Sequence, residues 1–316
     1  MNNLKKVGLT ALATTLVASS AFAGELSVSG GASLNYSGLN TASGNPWTMG
    51  DSIVFKGAGD LDNGMTIGVS YEIDFATGTG GNYDDVSLTL GLGDGMGTLG
   101  FSGKSTSPGG IDSVKDIIPT AYTPVYENTD STDNGLATTS GRNQTSMWGY
   151  KNTVGDFAVS VGYNPVNSGG HSVDGAETSV GVTYSPSQVE GLSIVAGTYD
   201  DQKVAEAQTI GVKYAIGSVT VAYQTTEVDY DASGTADQDS KSYGISFAVN
   251  ENLSISAGAH NVGINGKAVD EENSGLSASY TAGSITIAGA LNKVDNIGGT
   301  SGSNAEVSSL NIAFAF

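Results

Sequence analysis

Thr66-Ile67-Gly68-Val69-Ser70-Tyr71-Glu72-Ile73-Asp74-Phe75 alternates without a break. Successive side chains of an extended chain point to opposite faces, so Ile67, Val69, Tyr71, Ile73 and Phe75 share one side. Thr66, Gly68, Ser70, Glu72 and Asp74 share the other. One face is apolar; the other is polar and carries two carboxylates. The stretch just before it, Asp60-Leu61-Asp62-Asn63-Gly64, holds the Asn-Gly pair that a tight hairpin favours.

The same grammar runs outward in both directions. Leu26, Val28, Ala32, Leu34 and Tyr36 alternate with Ser27, Ser29, Ser33 and Asn35. Ile53 and Phe55 start a second strand after a loop holding Pro46 and Trp47, with Lys56 on the polar face. Val86 to Leu92 turns at Asp94-Gly95-Met96-Gly97 into Leu99 and Phe101, and strands of like length recur as far as Val307–Phe316. The count is about sixteen, the even number that closed antiparallel membrane barrels need. Connections alternate between tight turns (61–64, 94–97, 216–217, 281–284) and longer polar loops (37–50, 164–175, 229–239, 263–273, 295–304). All six prolines fall in loops or turns, as ladder hydrogen bonding requires.

One segment has no period-two pattern. Ser105 to Gly141 opens with Ser107-Pro108-Gly109-Gly110 and ends in the polar run 127–135. A connection this long inside a regular array is a functional or a disordered one. It is expected to fold into the barrel and narrow the lumen.

Alternation alone also fits a soluble sandwich. Three features favour a membrane. The polar faces are Ser, Thr, Gly, Asn and acids, suited to a wet lumen. Aromatics are expected at strand ends, with Tyr36, Phe75 and Tyr163 near the long loops and Tyr184, Tyr214 and Tyr280 near the short turns, as in the belts at the two interfaces of a bilayer. Closure also removes the edges that sixteen open strands would expose.

Composition bounds the rest. The chain has 316 residues, 46 of them Gly, and no Cys, which excludes disulfides and thiolate metal sites. Acids outnumber bases 32 to 12 and the single arginine is Arg142, a balance that excludes nucleic acid as a partner. Lys5-Lys6, an apolar stretch to Ser20 and Ala21-Phe22-Ala23 form a cleaved export signal, so residues 1–23 are expected to leave and the barrel to occupy 24–316. The mature chain then carries ten basic residues against 32 acidic ones, a charge near −22. No later stretch supplies the roughly 20 apolar residues of a spanning helix.

Taken together, the signal, the sixteen amphipathic strands, the long third loop and the end Ser309-Leu310-Asn311-Ile312-Ala313-Phe314-Ala315-Phe316 resemble the general porins of Gram-negative outer membranes. The alphaproteobacterial members, with acidic and Gly-rich loops, are most similar. The resemblance implies an all-β, 16-stranded antiparallel transmembrane barrel with residues 105–141 as the constriction loop. It also implies a homotrimer in lipid and lipopolysaccharide, and a final Phe316 read by the outer-membrane assembly machinery. Ala32, Leu34, Ile312 and Phe314 have the size and polarity to pack on a neighbouring barrel, or to face lipid. Two features depart from the enteric pattern. Of Pro-Glu-Phe-Gly-Gly only Pro108-Gly109-Gly110 remains, and the arginine cluster opposite the loop is missing, pointing to a less polarised, more cation-preferring pore.

Candidate pore residues follow. Asp112 and Asp116 are expected at the constriction, with Lys56, Lys104, Arg142 and Lys213 facing them and Glu72 and Asp74 on the lumen wall. Glu127, Asp130 and Asp133 read as solvated loop. Catalysis finds no constellation: His171 lies in a Gly/Ser loop and His260 near a strand end, neither with a nucleophile beside it. Gly91–Gly97 is a hairpin turn, since a phosphate loop needs a helix after it. No cofactor is expected. Asp229, Asp231, Asp237 and Asp239 offer oxygens of the kind Ca²⁺ takes but lack the full loop pattern. The expected function is passive diffusion of small hydrophilic solutes and ions with mild cation preference. A sugar-specific porin and a structural or adhesive barrel are the alternatives, and the few loop aromatics, Tyr122 and Tyr126, argue weakly against the first.

Overall fold

The computed structural model describes residues 24–40, 44–61, 63–74, 82–104, 107–126, 146–165, 176–202, 205–231 and 234–316. The export signal, Phe75, Glu127, Asp130, Asp133, Arg142 and His171 lie outside them. Sixteen strands make up the fold. The first eight are β1 (Glu25–Leu39), β2 (Trp47–Asp60), β3 (Thr66–Asp74), β4 (Asn82–Gly91), β5 (Thr98–Lys104), β6 (Met147–Val154), β7 (Phe157–Asn164) and β8 (Glu177–Tyr184). Then come β9 (Leu192–Asp201), β10 (Ala205–Ile216), β11 (Val219–Tyr230) and β12 (Gln238–Ala248). The last four are β13 (Leu253–Ile264), β14 (Glu271–Ala282), β15 (Ile285–Asp295) and β16 (Ala305–Ala315).

Each strand pairs antiparallel with its sequence neighbours, and β1 pairs β16 to close the barrel. The seam runs from Leu39↔Val307 to Gly31↔Ala315, and the Phe316 N–H and C=O both bond to Gly30 beyond it. No strand edge is left open, which is what allows strands to cross lipid.

The alternation sorts as the sequence suggests. Leu26, Val28, Ile67, Leu88, Ile210, Leu276 and Leu291 stand exposed on the outer face. So much contiguous apolar surface belongs in lipid rather than water. Tyr36 packs on Trp47 at the long-loop end, and Phe157 stacks on Tyr184 at the short-turn end. The outer face turns acidic at the long-loop ends of β9 to β11, with Asp200, Glu206 and Asp229 directly paired. The lipid band stops below them.

Strands run further than the apolar periodicity. β2 begins at Trp47, not Ile53, and β16 at Ala305, not Val307. The loops expected at 229–239 and 263–273 shorten to 231–237 and 265–270. In β2 the outer apolar phase of Trp47, Met49, Ile53 and Phe55 is interrupted by Asp51; at the other ends ladder hydrogen bonds persist above the membrane, where both faces are wet and hydropathy no longer alternates. His260 is also misplaced by the sequence reading: it sits well inside β13, fully buried on the lumen face, with Nδ1 2.7 Å from Ser242 Oγ.

Candidate functional site

The long segment between β5 and β6 is the third of the long connections, and residues 107–126 of it lie inside the barrel. An irregular backbone in such a place needs hydrogen-bond partners, and the polar face of the strands supplies them. The Gly110 N–H donates to Ser160 Oγ at 2.9 Å on β7. Gln224 on β11 donates its Nε2–H to the Val114 carbonyl at 2.8 Å and to Thr209 Oγ1 at 2.8 Å. The Ala121 N–H donates to Ser256 Oγ at 2.9 Å, and the Tyr122 N–H to Ser277 Oγ at 3.2 Å. The loop thus follows the wall from β7 to β14.

Close approach demands small wall residues. Pro108 lies on Gly100 and Gly149, and any Cβ at Gly149 would collide with the Pro108–Gly109 backbone. At Gly197 a Cβ would come 2.6 Å from Ile111 and 2.8 Å from Val114. Between these rungs the loop has a small core of its own. Ile111, Val114 and Ile117 pack on Val195, Tyr199, Ala205, Ala207 and Val228, all on the lumen face of β9 to β11. A short 3₁₀ turn, Ile111–Val114, aims Ile111 and Val114 at the wall and leaves Asp112 on the open side.

The charged edge of the loop follows from that geometry. Lys115 Nζ stands 3.2 Å from Asp112 Oδ1 and 3.5 Å from Asp116 Oδ2. The Tyr126 hydroxyl donates to Asp116 Oδ1 at 2.9 Å, and its ring lies 5.2 Å from that of His260. Burial pushes the Lys115 ammonium down, but Asp116 and then Asp112 outweigh it and hold its pKa above the ordinary 10.5. The two acids named from the sequence are therefore bridged by a lysine that was not.

Opposite the loop lies the wall of β1 to β4 and β16. Glu72 and Asp74 are on its lumen phase, paired with Val54 and Ser52. A bulge between β3 and β4 brings Asp84 within hydrogen-bonding reach of Asp74, and Asp85 within reach of Glu72. Neither Asp84 nor Asp85 stood out in the sequence, because the bulge breaks the alternation there. Lys104 ends β5 opposite Val86, half-buried beside this group.

Lys56 and Lys213 also face the lumen, but toward the short-turn ends of β2 and β10. Lys151 on β6 joins them, paired with Thr98 and Ser160 on the lumen phase. The alternation of Trp148 and Tyr150 would have placed it there. Among the described residues no group of three or more His, Asp or Glu is disposed to hold a metal, and Asp237 instead accepts the Tyr230 N–H at 3.0 Å.

A closed sixteen-stranded barrel with a lipid-facing exterior and a loop-narrowed polar lumen defines a transmembrane channel. The chain belongs to the Gram-negative porin family, whose model matches residues 8–316, and it is an outer-membrane barrel. No curated protein sequence matches it. Solved structures do. An anion-selective porin from Comamonas acidovorans is 16% identical, with 92% of this chain and 99% of that one covered and a TM-score of 0.71. OmpT of Vibrio cholerae in its trimer form is 14% identical over 93% and 100% of the two chains, at 0.72. Salmonella typhi OmpF, in complex with daunomycin, is 14% identical over 93% and 98%, at 0.69.

Proposed function

We propose that the channel passes small hydrophilic solutes and ions by passive diffusion, with a mild preference for cations. The observation that carries this is the distribution of acids on both sides of the narrowed path. Asp112 and Asp116 share one lysine on the loop, and the carboxylates of Glu72, Asp74, Asp84 and Asp85 converge on the facing wall. A cleft lined by one sign of charge concentrates counter-ions. The Comamonas structure is described as anion-selective, but at 16% identity it shares the fold alone, so selectivity rests on this chain's own side chains.

A homotrimer is the favoured assembly, as in the OmpT trimer form, with β1 and β16 among the contacting strands. The reading extends to a mature chain starting near Gly24, made by removal of residues 1–23, set in lipid and lipopolysaccharide, with Phe316 read by the assembly machinery. The test is single-channel recording across a KCl gradient. A cation-signed reversal potential that shrinks as salt rises supports the reading. An anion-signed potential rejects the preference, and saturable block by a sugar replaces diffusion with a specific site.

A further inference from the structure

Lumen charge in this barrel is divided along the axis. Glu72 and Asp74 are among the last three residues of β3, and Asp84 and Asp85 among the first four of β4, all at the long-loop end. Toward the other end stand Lys151 and Lys213, each three residues from the short-turn end of β6 and β10, whereas Lys56 pairs with Ser70, two residues from Glu72, and stands beside the acids. β6 and β10 are four apart in the ring, so the two lysines stand about a quarter of its circumference from each other. Their cross-strand neighbours are Thr98, Ser160, Ser193 and Ala222, with no carboxylate among them.

The loop borders the lysine tier. Gly149 is covered by Pro108, and Gly211 by Ile117. Lys151 and Lys213 are the next lumen-facing residues inward, a step of about 7 Å along the strand. That is inside the screening length of about 10 Å at 0.1 M salt. Glu25 and Asp60 hold the same phase at the rim, where they are exposed to bulk water.

We propose that Lys151 and Lys213 form an anion-attracting tier in series with the acids on and opposite the loop, making the pore an ionic rectifier whose junction lies beside the loop. The inference rests on the channel reading above. When the long-loop side is positive, cations enter through the acids and anions through the lysines, and both accumulate at the constriction. Reversed polarity draws both away and depletes it. Current is therefore larger with the long-loop side positive.

The experiment is recording of single insertions in symmetric KCl. The chain has no cysteine, so Ser301→Cys in the connection between β15 and β16 gives a unique handle. A bulky membrane-impermeant thiol reagent then reports which chamber the long loops face. The wild-type current ratio between polarities is expected to be about twofold at 0.1 M and to approach one at 1 M, where screening falls to about 3 Å. Lys151→Gln/Lys213→Gln is expected to abolish the ratio while keeping discrete conductance and to move the reversal potential toward cations. Discrete steps with a linear wild-type response, or with the opposite polarity dependence, overturn the rectifier and leave the channel standing. Absence of any conductance from folded protein overturns both.

Discussion

The loop's own core makes the strongest mutational prediction. Ile111 is 1% exposed and packs on lumen-facing apolar residues of β9 to β11. Truncating a buried Ile to Ala costs about 2–5 kcal/mol, through lost transfer energy and the cavity left behind. At 1.4 kcal/mol per tenfold, the docked-to-undocked ratio of the loop should fall about 30- to 4000-fold in Ile111→Ala. The closed ladder does not include Ile111, so barrel stability should barely change. Hydrogen exchange reads the effect directly. The Ala121 amide, held by Ser256, and the Gly110 amide, held by Ser160, should exchange faster, while amides of β15 and β16 keep their protection. Single channels should become noisier, with excursions to higher conductance. Ile210→Ala on the lipid face is the control, since that side chain is 58% exposed and away from the loop. Unchanged exchange at both loop amides in Ile111→Ala would falsify the claim that this core holds the constriction.

Two further outcomes are expected. Lys115→Gln leaves Asp112 and Asp116 uncompensated, so the KCl reversal potential should move further toward cations; no movement would mean that the trio does not line the path. The Lys115 pKa is raised, so its pairing is fully present below the ordinary 10.5 and is lost as pH rises through the raised value. The difference between wild type and Lys115→Gln should thus hold from pH 7 to about 10 and narrow only above that. Phe316→Ala keeps the backbone pairing with Gly30, so heat stability of the folded barrel should survive. Its yield in the outer membrane should drop several-fold, and an equal yield would show that the side chain is not read during assembly.

The barrel was legible because its solvent changes sides with every residue. Thr66–Asp74 declares both lumen and lipid in nine positions, and the same rule puts Glu72, Asp74, Lys56 and Lys213 on the lumen side. The rule failed where its cause was absent. Above the lipid both faces are wet, so nothing marks the start of β16 at Ala305, and in β2 Asp51 breaks the apolar phase between Met49 and Ile53. At the bulge between β3 and β4 the phase slips, so Asp84 and Asp85 were missed. Residues in an irregular loop have no phase at all, so nothing in Asp112-Ser113-Val114-Lys115-Asp116 said that the lysine would lie between the acids.

One signal for the loop was nevertheless present in the strands. A water-filled lumen gains nothing from Val195, Ala205, Ala207 and Val228 on its polar phase, and glycine weakens a strand unless something must come close. Both features fall on the wall that the loop covers, and apolar residues on the wet phase of adjacent strands are the footprint of whatever buries them. The acids left on the other side of the loop owe their position to that footprint. With Ile111 and Val114 turned to the wall, Asp112 has only the open lumen to face. The hydrophobic side of the loop therefore decides where its charge sits, and a selectivity change produced by Ile111→Ala without any change in charge would follow from the same arrangement.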